Sequence, residues 1–416
     1  MDPSFSYHNG VLHAEGVSIQ TLADTVGTPL YCYSKNALET NYRAVAAAFA
    51  DRDARLCFAM KSNCNPAILS LFARLGAGAD VVSGGELFFA RKAGIAPDRI
   101  VFSGVGKSKP ELATALHEGI FQLNIESESE LRLLSAVATE LNTTANIALR
   151  VNPDVDAGTH AKITTGKYSS KFGIAFEEVP NLLSLATNLP GIKPQGLAVH
   201  IGSQITRLEP FADAFTKVAR LFADLRGSGY PLTHLDLGGG LGITYQDEVI
   251  PNIQDYAAMI KRITDPLGVS LVLEPGRWLT GSTGILVTEV LHRKTTPERD
   301  FVIVDAGMND FKRTALYDAR HRIRPVQEAS ASTPQGRYDI VGPVCESTDV
   351  FAKNLGIAEV SQGDRLVLLD VGAYGSVMGS TYNVRLPAPE VLVSGDSWRI
   401  IRPRPMYQDL WDAYGA

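Results

Sequence analysis

Residues 56–83 read LCFAMKSNCNPAILSLFARLGAGADVVS. An apolar run ends in Lys61, a helix-like segment opens at Pro66, and a second apolar run reaches Ser83. Near-continuous apolar strands alternating with helices predict a parallel sheet buried on both faces, because each crossover lays a helix over it. The same unit recurs along the chain. Further strand candidates are RIVFSG (99–104), FQLNIES (121–127), IALRVN (147–152), GLAVHIGS (196–203), LDLGGG (235–240) and LVLEPG (271–276). With LCFAMK (56–61) and ADVVS (79–83) they make eight. Helical patterns such as 127–141 and 208–229 lie between them. Eight such units over about 220 residues predict a (β/α)8 TIM barrel, with an open doubly wound sheet as the alternative.

After Arg277 the rhythm changes. ILVTEVL (285–291), FVIVDA (301–306), YDIVG (338–342), RLVLLDV (365–371) and EVLVSG (390–395) are separated by loops with little helix. That pattern predicts a mostly antiparallel β domain. The expected division is residues 31–277 for the barrel, and 1–30 plus 278–416 for the β domain, the N-terminal segment adding a strand.

Composition narrows the function. The 416 residues are 45% hydrophobic and 20% charged, as in ordinary globular proteins. A net charge of −6 argues against nucleic acid or an anionic membrane as partner. No apolar run approaches the roughly 20 residues that span a bilayer. MDPSFSYHNG has neither the basic nor the apolar region of a signal peptide. Cys32, Cys57, Cys64 and Cys345 form no C-x-x-C pair and no zinc spacing, so no metal is expected. Free thiols and a cytoplasmic setting follow.

Barrel chemistry sits at the C-terminal ends of the strands. Those ends carry Lys61, then Asp80 and Ser83, Arg150 and Asn152, His200 and Ser203, Gly238–Gly240, and Glu274-Pro275-Gly276-Arg277. Lys61 has two readings: a strand-end lysine reaching for water, or an amine at a pocket mouth, activated as a Schiff-base nucleophile. Gly238-Gly239-Gly240-Leu241-Gly242 is either a plain turn or a loop that lets backbone amides approach a phosphate. His200 is either a satisfied core histidine or a ring that stacks on an aromatic cofactor. Glu274 either pairs with a nearby cation such as Arg277 or keeps a pyridine nitrogen protonated. GVGKS (104–108) imitates the end of a P-loop, but Val101 occupies the required glycine position, which excludes a nucleotide triphosphatase.

FAMKSN (58–63), HIGSQ (200–204), GGGLG (238–242), EPGR (274–277), DAGMNDFKRTALYDARH (305–321), GPVCESTD (342–349) and GAYG (372–375) together resemble the diaminopimelate decarboxylase family. The resemblance runs from about residue 5 to about residue 410, with the seven motifs in order. It implies the alanine-racemase-like fold type III, a barrel plus a β domain, with pyridoxal 5'-phosphate as cofactor. It implies a Schiff-base role for Lys61, ring stacking by His200 and a pyridinium partner in Glu274. Asp80, Ser203, Gly239, Gly240, Pro275, Gly276, Arg277 and Tyr374 fall in its cofactor-binding segments. Arg277, Arg313, Tyr317 and Tyr374 match substrate contacts, the two arginines and Tyr317 gripping the far carboxylate. Glu346 matches the acid facing the far amino group. Cys345 matches a catalytic cysteine delivered across a homodimer interface, and residues 170–173 match a mobile lid. The implied reaction is decarboxylation of meso-diaminopimelate to lysine. The rivals are decarboxylases of ornithine, arginine, lysine or carboxynorspermidine, a racemase, and a non-catalytic cofactor carrier. An arginine fork suits a second carboxylate, which ornithine lacks.

Overall fold

The computed structural model describes residues 2–158, 165–167, 170–330 and 332–415. It divides into a barrel unit, residues 41–243 and 249–278, and a β unit, residues 1–40, 244–248 and 279–416.

The barrel unit has eight parallel strands: β1 Ala54–Ala59, β2 Gly78–Val81, β3 Ile100–Phe102, β4 Gln122–Ile125, β5 Ala145–Asn152, β6 Ile192–Ala198, β7 His234–Asp236 and β8 Ser270–Leu273. Each pairs with the next, and β8 closes on β1 by setting Leu271–Leu273 beside Ala54–Leu56. The closed ring decides against the open sheet. A two-residue strand, Ile174–Ala175, pairs with the end of β5.

The first crossover shows how sequence sets local structure. Asn65 caps the helix Pro66–Arg74, its side chain accepting from the Ala67 N–H, and Pro66 occupies the first turn, where its missing N–H costs nothing. Ile68, Leu69, Leu71 and Phe72 form the buried face, and the Phe72 ring lies 4.6 Å from that of Phe58 on β1. Such side chains contribute about 1.5–3 kcal/mol each on burial. Phe72→Ala should therefore lower stability by about 3–5 kcal/mol, read as a shift of the urea midpoint at unchanged slope.

Several strands end sooner than their apolar runs. β1 stops at Ala59, and Met60–Ser62 form a 3-10 turn that carries Lys61. β6 stops at Ala198, β7 at Asp236 and β8 at Leu273, so His200, the glycines and Glu274 occupy loops beyond the ladder. Those loops still bond to each other. Val199 N–H donates to Asp236 O at 2.8 Å, and Glu274 N–H donates to Gly238 O at 2.7 Å. Apolar character continues past the strand ends because these segments remain inside the fold, although they no longer pair as β.

In the β unit, strands run in the order Val350–Ala358, Gln335–Val341, Asp300–Val304, Gly284–Thr295, Leu30–Ser34, Glu390–Ser394, Ser397–Arg402. Arg365–Leu368 also pairs with the long strand Gly284–Thr295. Two pairings are parallel, 301–303 with 339–341 and 390–393 with 31–34; the others along this sheet are antiparallel. The boundary expected at residue 31 differs from the observed one. Leu30–Ser34 is an interior strand of this sheet, with Cys32 packed among Ile285, Val287 and Val391, so residues 31–40 group with the β unit. Residues 244–248 join it too. The N-terminal residues make their own three-stranded meander, Phe5–His8, Val11–Ala14 and Val17–Ser18.

Candidate active site

Lys61 rides the 3-10 turn after β1, and its Nζ donates to Asp80 Oδ2 at 2.6 Å. Asp80, on β2, is fully buried, while the lysine side chain is one-third exposed. The ammonium is therefore drawn to a buried carboxylate at the barrel mouth rather than wholly out to water. Lys61, Ser103, Asn124, Arg150, His200, Asp236 and Glu274 line one cavity.

His200 accepts the Gly239 N–H on Nδ1 at 3.2 Å, which places its own proton on Nε2 when the ring is neutral. Burial, then the nearby cations Lys61 and Arg150, push its pKa well below the ordinary histidine range. The ring stays uncharged at neutral pH.

The glycines approach backbone directly. A Cβ on Gly239 would lie 2.2 Å from Glu274 O, and one on Gly240 would lie 2.5 Å from Gly202 O. Gly240 also holds φ +118°, which favours glycine. A Cβ on Gly276 would press on Ala59 and Ser62 at 3.0 and 3.2 Å. Pro275 O accepts the Ala59 N–H at 3.2 Å, which ties the loop after β8 to β1. Ser203 Oγ accepts from Arg277 Nη2 at 3.0 Å and Nε at 3.3 Å, with the arginine buried.

Glu274 is buried, hydrogen-bonded to Asp236, and its Oε1 has no hydrogen-bond partner. Burial, Asp236 and Asp80 raise its pKa well above the usual carboxylate range, with Lys61 opposing. A wholly buried oxygen left unsatisfied is costly, and such an atom calls for a donor.

Polar residues inside the barrel were missed by the sequence reading. Asn124 and Gln122 on β4 reach Asp236 on β7, and Glu126 beyond β4 pairs with Arg150 at 2.6 Å. Glu126 also accepts the Gly173 N–H at 2.9 Å, and Arg150 lies over the Phe172 ring at 4.9 Å. This roots the end of the 170–173 run at the mouth; residues 159–164 and 168–169 of that loop lie outside the described residues. A usable signal existed. Gln122 with Asn124, and His234 with Asp236, are polar at i and i+2 in apolar runs, the inward period of a barrel strand.

The β unit holds the other candidates in separate groups. Arg313, buried on the short helix Arg313–Tyr317, donates to Tyr245 Oη at 2.8 Å and lies 4.7 Å over that ring. It also meets His321 Nε2 at 3.1 Å. His321 Nδ1 donates to Leu369 O at 2.8 Å, so Nε2 has a lone pair for the guanidinium. Tyr317 ends the same helix. Cys345 and Glu346 lie exposed in the loop after Gly342. Asp349 pins that loop through the Val344 and Met308 N–H groups, each at 2.7 Å. Cys345 N–H donates to Asn383 Oδ1 at 2.9 Å, and Glu346 accepts from Tyr382 Oη at 3.2 Å. Tyr374 is half-buried in a left-handed turn at φ +55°.

The family model described as "Pyridoxal-dependent decarboxylase, pyridoxal binding domain" matches residues 35–281. A diaminopimelate decarboxylase of Pseudomonas aeruginosa is 45% identical over 408 residues, 98% of each chain. This chain belongs to the diaminopimelate decarboxylase family. The diaminopimelate decarboxylase of Helicobacter pylori, solved in complex with L-lysine, superposes at TM-score 0.92 with 41% identity, covering 95% of this chain and 99% of that one. A lysine decarboxylase of Selenomonas ruminantium is more distant, at TM-score 0.81 and 25% identity, covering 90% and 95%. The fold is accordingly fold type III, an eight-stranded parallel barrel with a mixed β domain.

The residues present fit the pyridoxal phosphate of this decarboxylase family. Glu274 Oε1 lacks only a donor, Lys61 supplies an amine, and the glycine cradle has no room for side chains. Among the described residues no cluster of His, Cys, Asp or Glu could hold a metal ion.

Proposed function

We propose that this chain removes CO2 from meso-2,6-diaminopimelate to leave L-lysine, the last step of lysine biosynthesis, with pyridoxal 5'-phosphate as cofactor. The observation that carries the reading is the orphaned Glu274 Oε1 in the same mouth as Lys61 and a neutral His200. The cofactor supplies an electron sink for the charge left at Cα when CO2 departs. Glu274 holds the proton on the ring nitrogen. His200 supports the ring face. Ser203, Gly239, Gly240, Gly276, Arg277 and Tyr374 bind the phosphate, and Asp80 orients Lys61. Lys61 Nζ would supply the amine that holds the cofactor.

Substrate choice falls to other residues. Arg277, Arg313 and Tyr317 bind the far carboxylate, and Glu346 binds the far ammonium. The likeness to a lysine-bound diaminopimelate decarboxylase and the anchored guanidinium of Arg313 support this. We assign Cys345 Sγ as the acid that protonates Cα in the site of a partner subunit. Its exposure on a loop bonded to Asn383, which lies in sequence between the exposed Tyr382 and Val384, supports a homodimer built on this loop. Four free cysteines support a cytoplasmic setting. No helix among the described residues is long and apolar enough to cross a membrane.

The test is CO2 release by the purified, cofactor-loaded protein from meso-diaminopimelate, ornithine and lysine. Release from the first alone is expected; equal release from ornithine would reject the substrate. Cys345→Ala should lower kcat by about 10²- to 10⁴-fold and leave the cofactor bound. Unchanged turnover would remove Cys345 as the acid.

A further inference from the structure

Asp236 ends β7 at 1% exposure and has no place in the roles assigned above. Neutral donors converge on it from inside the barrel. Gln122 Nε2 and Asn124 Nδ2 donate to its Oδ2 at 3.2 and 3.1 Å, and the Gly238 N–H donates to Oδ1 at 3.0 Å. The donors are themselves oriented. His234 shares a hydrogen bond with Gln122 Oε1, and that oxygen can only accept, so Gln122 turns its amide nitrogen toward Asn124 Oδ1 and Asp236. Asn124 is then left with its own amide nitrogen for Ser103 and Asp236. Three fixed N–H donors favour the ionised form of this carboxyl over that of a neighbour without them.

Glu274 is hydrogen-bonded to this same Asp236. Two carboxyl groups can bond only by sharing a proton, and with Asp236 the acceptor the proton lies on Glu274. Asp80 faces the pair from β2, and the ammonium of Lys61 lies beside it. Three ionised carboxylates against one ammonium is a costly burial, so the cluster retains a proton. Burial raises Asp236 itself to about 6, within reach of protonation. Yet Glu274 must be negative to face a protonated ring nitrogen through Oε1.

We propose that Asp236 is the positioning residue for Glu274, and that the pair keeps one proton throughout, held by Glu274 in the free protein and passed to Asp236 when the ring nitrogen binds. This rests on the cofactor reading above. The ring nitrogen brings its own proton. One O–H bond breaks on Glu274 and one forms on Asp236, so no proton enters or leaves the pair. Asn124, Gln122 and Gly238 keep Asp236 in place through the change, and Glu274 retains its rotamer because its second oxygen stays bonded to Asp236.

The test is infrared difference spectroscopy at pH 8 on full-length protein with side-chain carboxyls labelled with carbon-13, in aspartate or in glutamate. In the apoprotein the protonated-carboxyl stretch should shift with the glutamate label. After pyridoxal phosphate is added it should shift with the aspartate label, and Asp236→Asn holoprotein should lack that band. Asp236→Asn should also lower kcat about ten- to a hundred-fold with a smaller change in KM, because Glu274 loses its fixed partner. A holoprotein band indifferent to the aspartate label overturns the proposal, and the wild-type measurement decides it even if the variant does not fold. Failure of pyridoxal phosphate to bind the wild type would instead reject the cofactor reading.

Discussion

Lys61→Ala should abolish the visible imine absorption of the protein with pyridoxal phosphate and lower turnover by at least about four orders of magnitude. The reason is the position of Nζ. It stands 2.6 Å from the buried Asp80 carboxylate, in the cavity that Glu274 and His200 also line. No other lysine lines that cavity among the described residues. Lys107 is buried too, but its Nζ is spent on Glu130 at 2.6 Å and on two carbonyls, Gly104 O and Asn124 O. The loss should be specific to chemistry. Lys61 lies on a turn rather than in the ladder, and removing it leaves the β1 pairings intact. Far-ultraviolet circular dichroism should match wild type. A variant with normal colour and full activity would end the assignment of Lys61 as the anchor.

Arg313→Ala should raise KM for meso-diaminopimelate by about two to three orders of magnitude, from the loss of charge-assisted bonds worth about 3–4 kcal/mol to a far carboxylate. Cofactor affinity should change far less. The guanidinium is costly to hold in place: it is buried, stacked over Tyr245, and bonded to Tyr245 Oη and His321 Nε2. Those contacts fix the plane of the guanidinium, so its fork is pre-oriented for a carboxylate. Arg313→Lys should recover only part of the loss, since an ammonium keeps the charge without the planar fork. Measuring KM and the cofactor dissociation constant on both variants checks this. An unaltered KM would take Arg313 out of the substrate site.

Much of this was legible in the chain itself. Strands buried on both faces must be apolar throughout, so β1 to β8 announce themselves as short apolar runs between amphipathic helices, and their number implies closure. The glycines at 238–240 and the Glu274-Pro275-Gly276-Arg277 turn are local backbone requirements written in residue type. Strand ends were less legible. Hydrophobicity reports burial rather than pairing, so GLAVHIGS reads as one strand although pairing stops at Ala198. The division between units was misjudged at Leu30–Ser34 for a related reason: an apolar strand does not announce which sheet will take it, and here Gly284–Thr295 and Glu390–Ser394 do.

The sequence by itself determined the eight-unit rhythm, the amine, imidazole, glycine loop and carboxylate at successive strand ends, and the family to which they belong. These are set by local propensity, side-chain period and residue chemistry, all of which act over short stretches of chain. Only the tertiary structure decided that Lys61 turns to Asp80, that His200 is held neutral, and that Gln122, Asn124 and Asp236 converge beneath Glu274. Those outcomes depend on which polar groups closure of the barrel removes from water together. Gln122 and Asp236 are 114 positions apart in the chain. Their contact exists because β4 and β7 turn these side chains into the same dry interior, where a carboxylate must find donors or keep a proton.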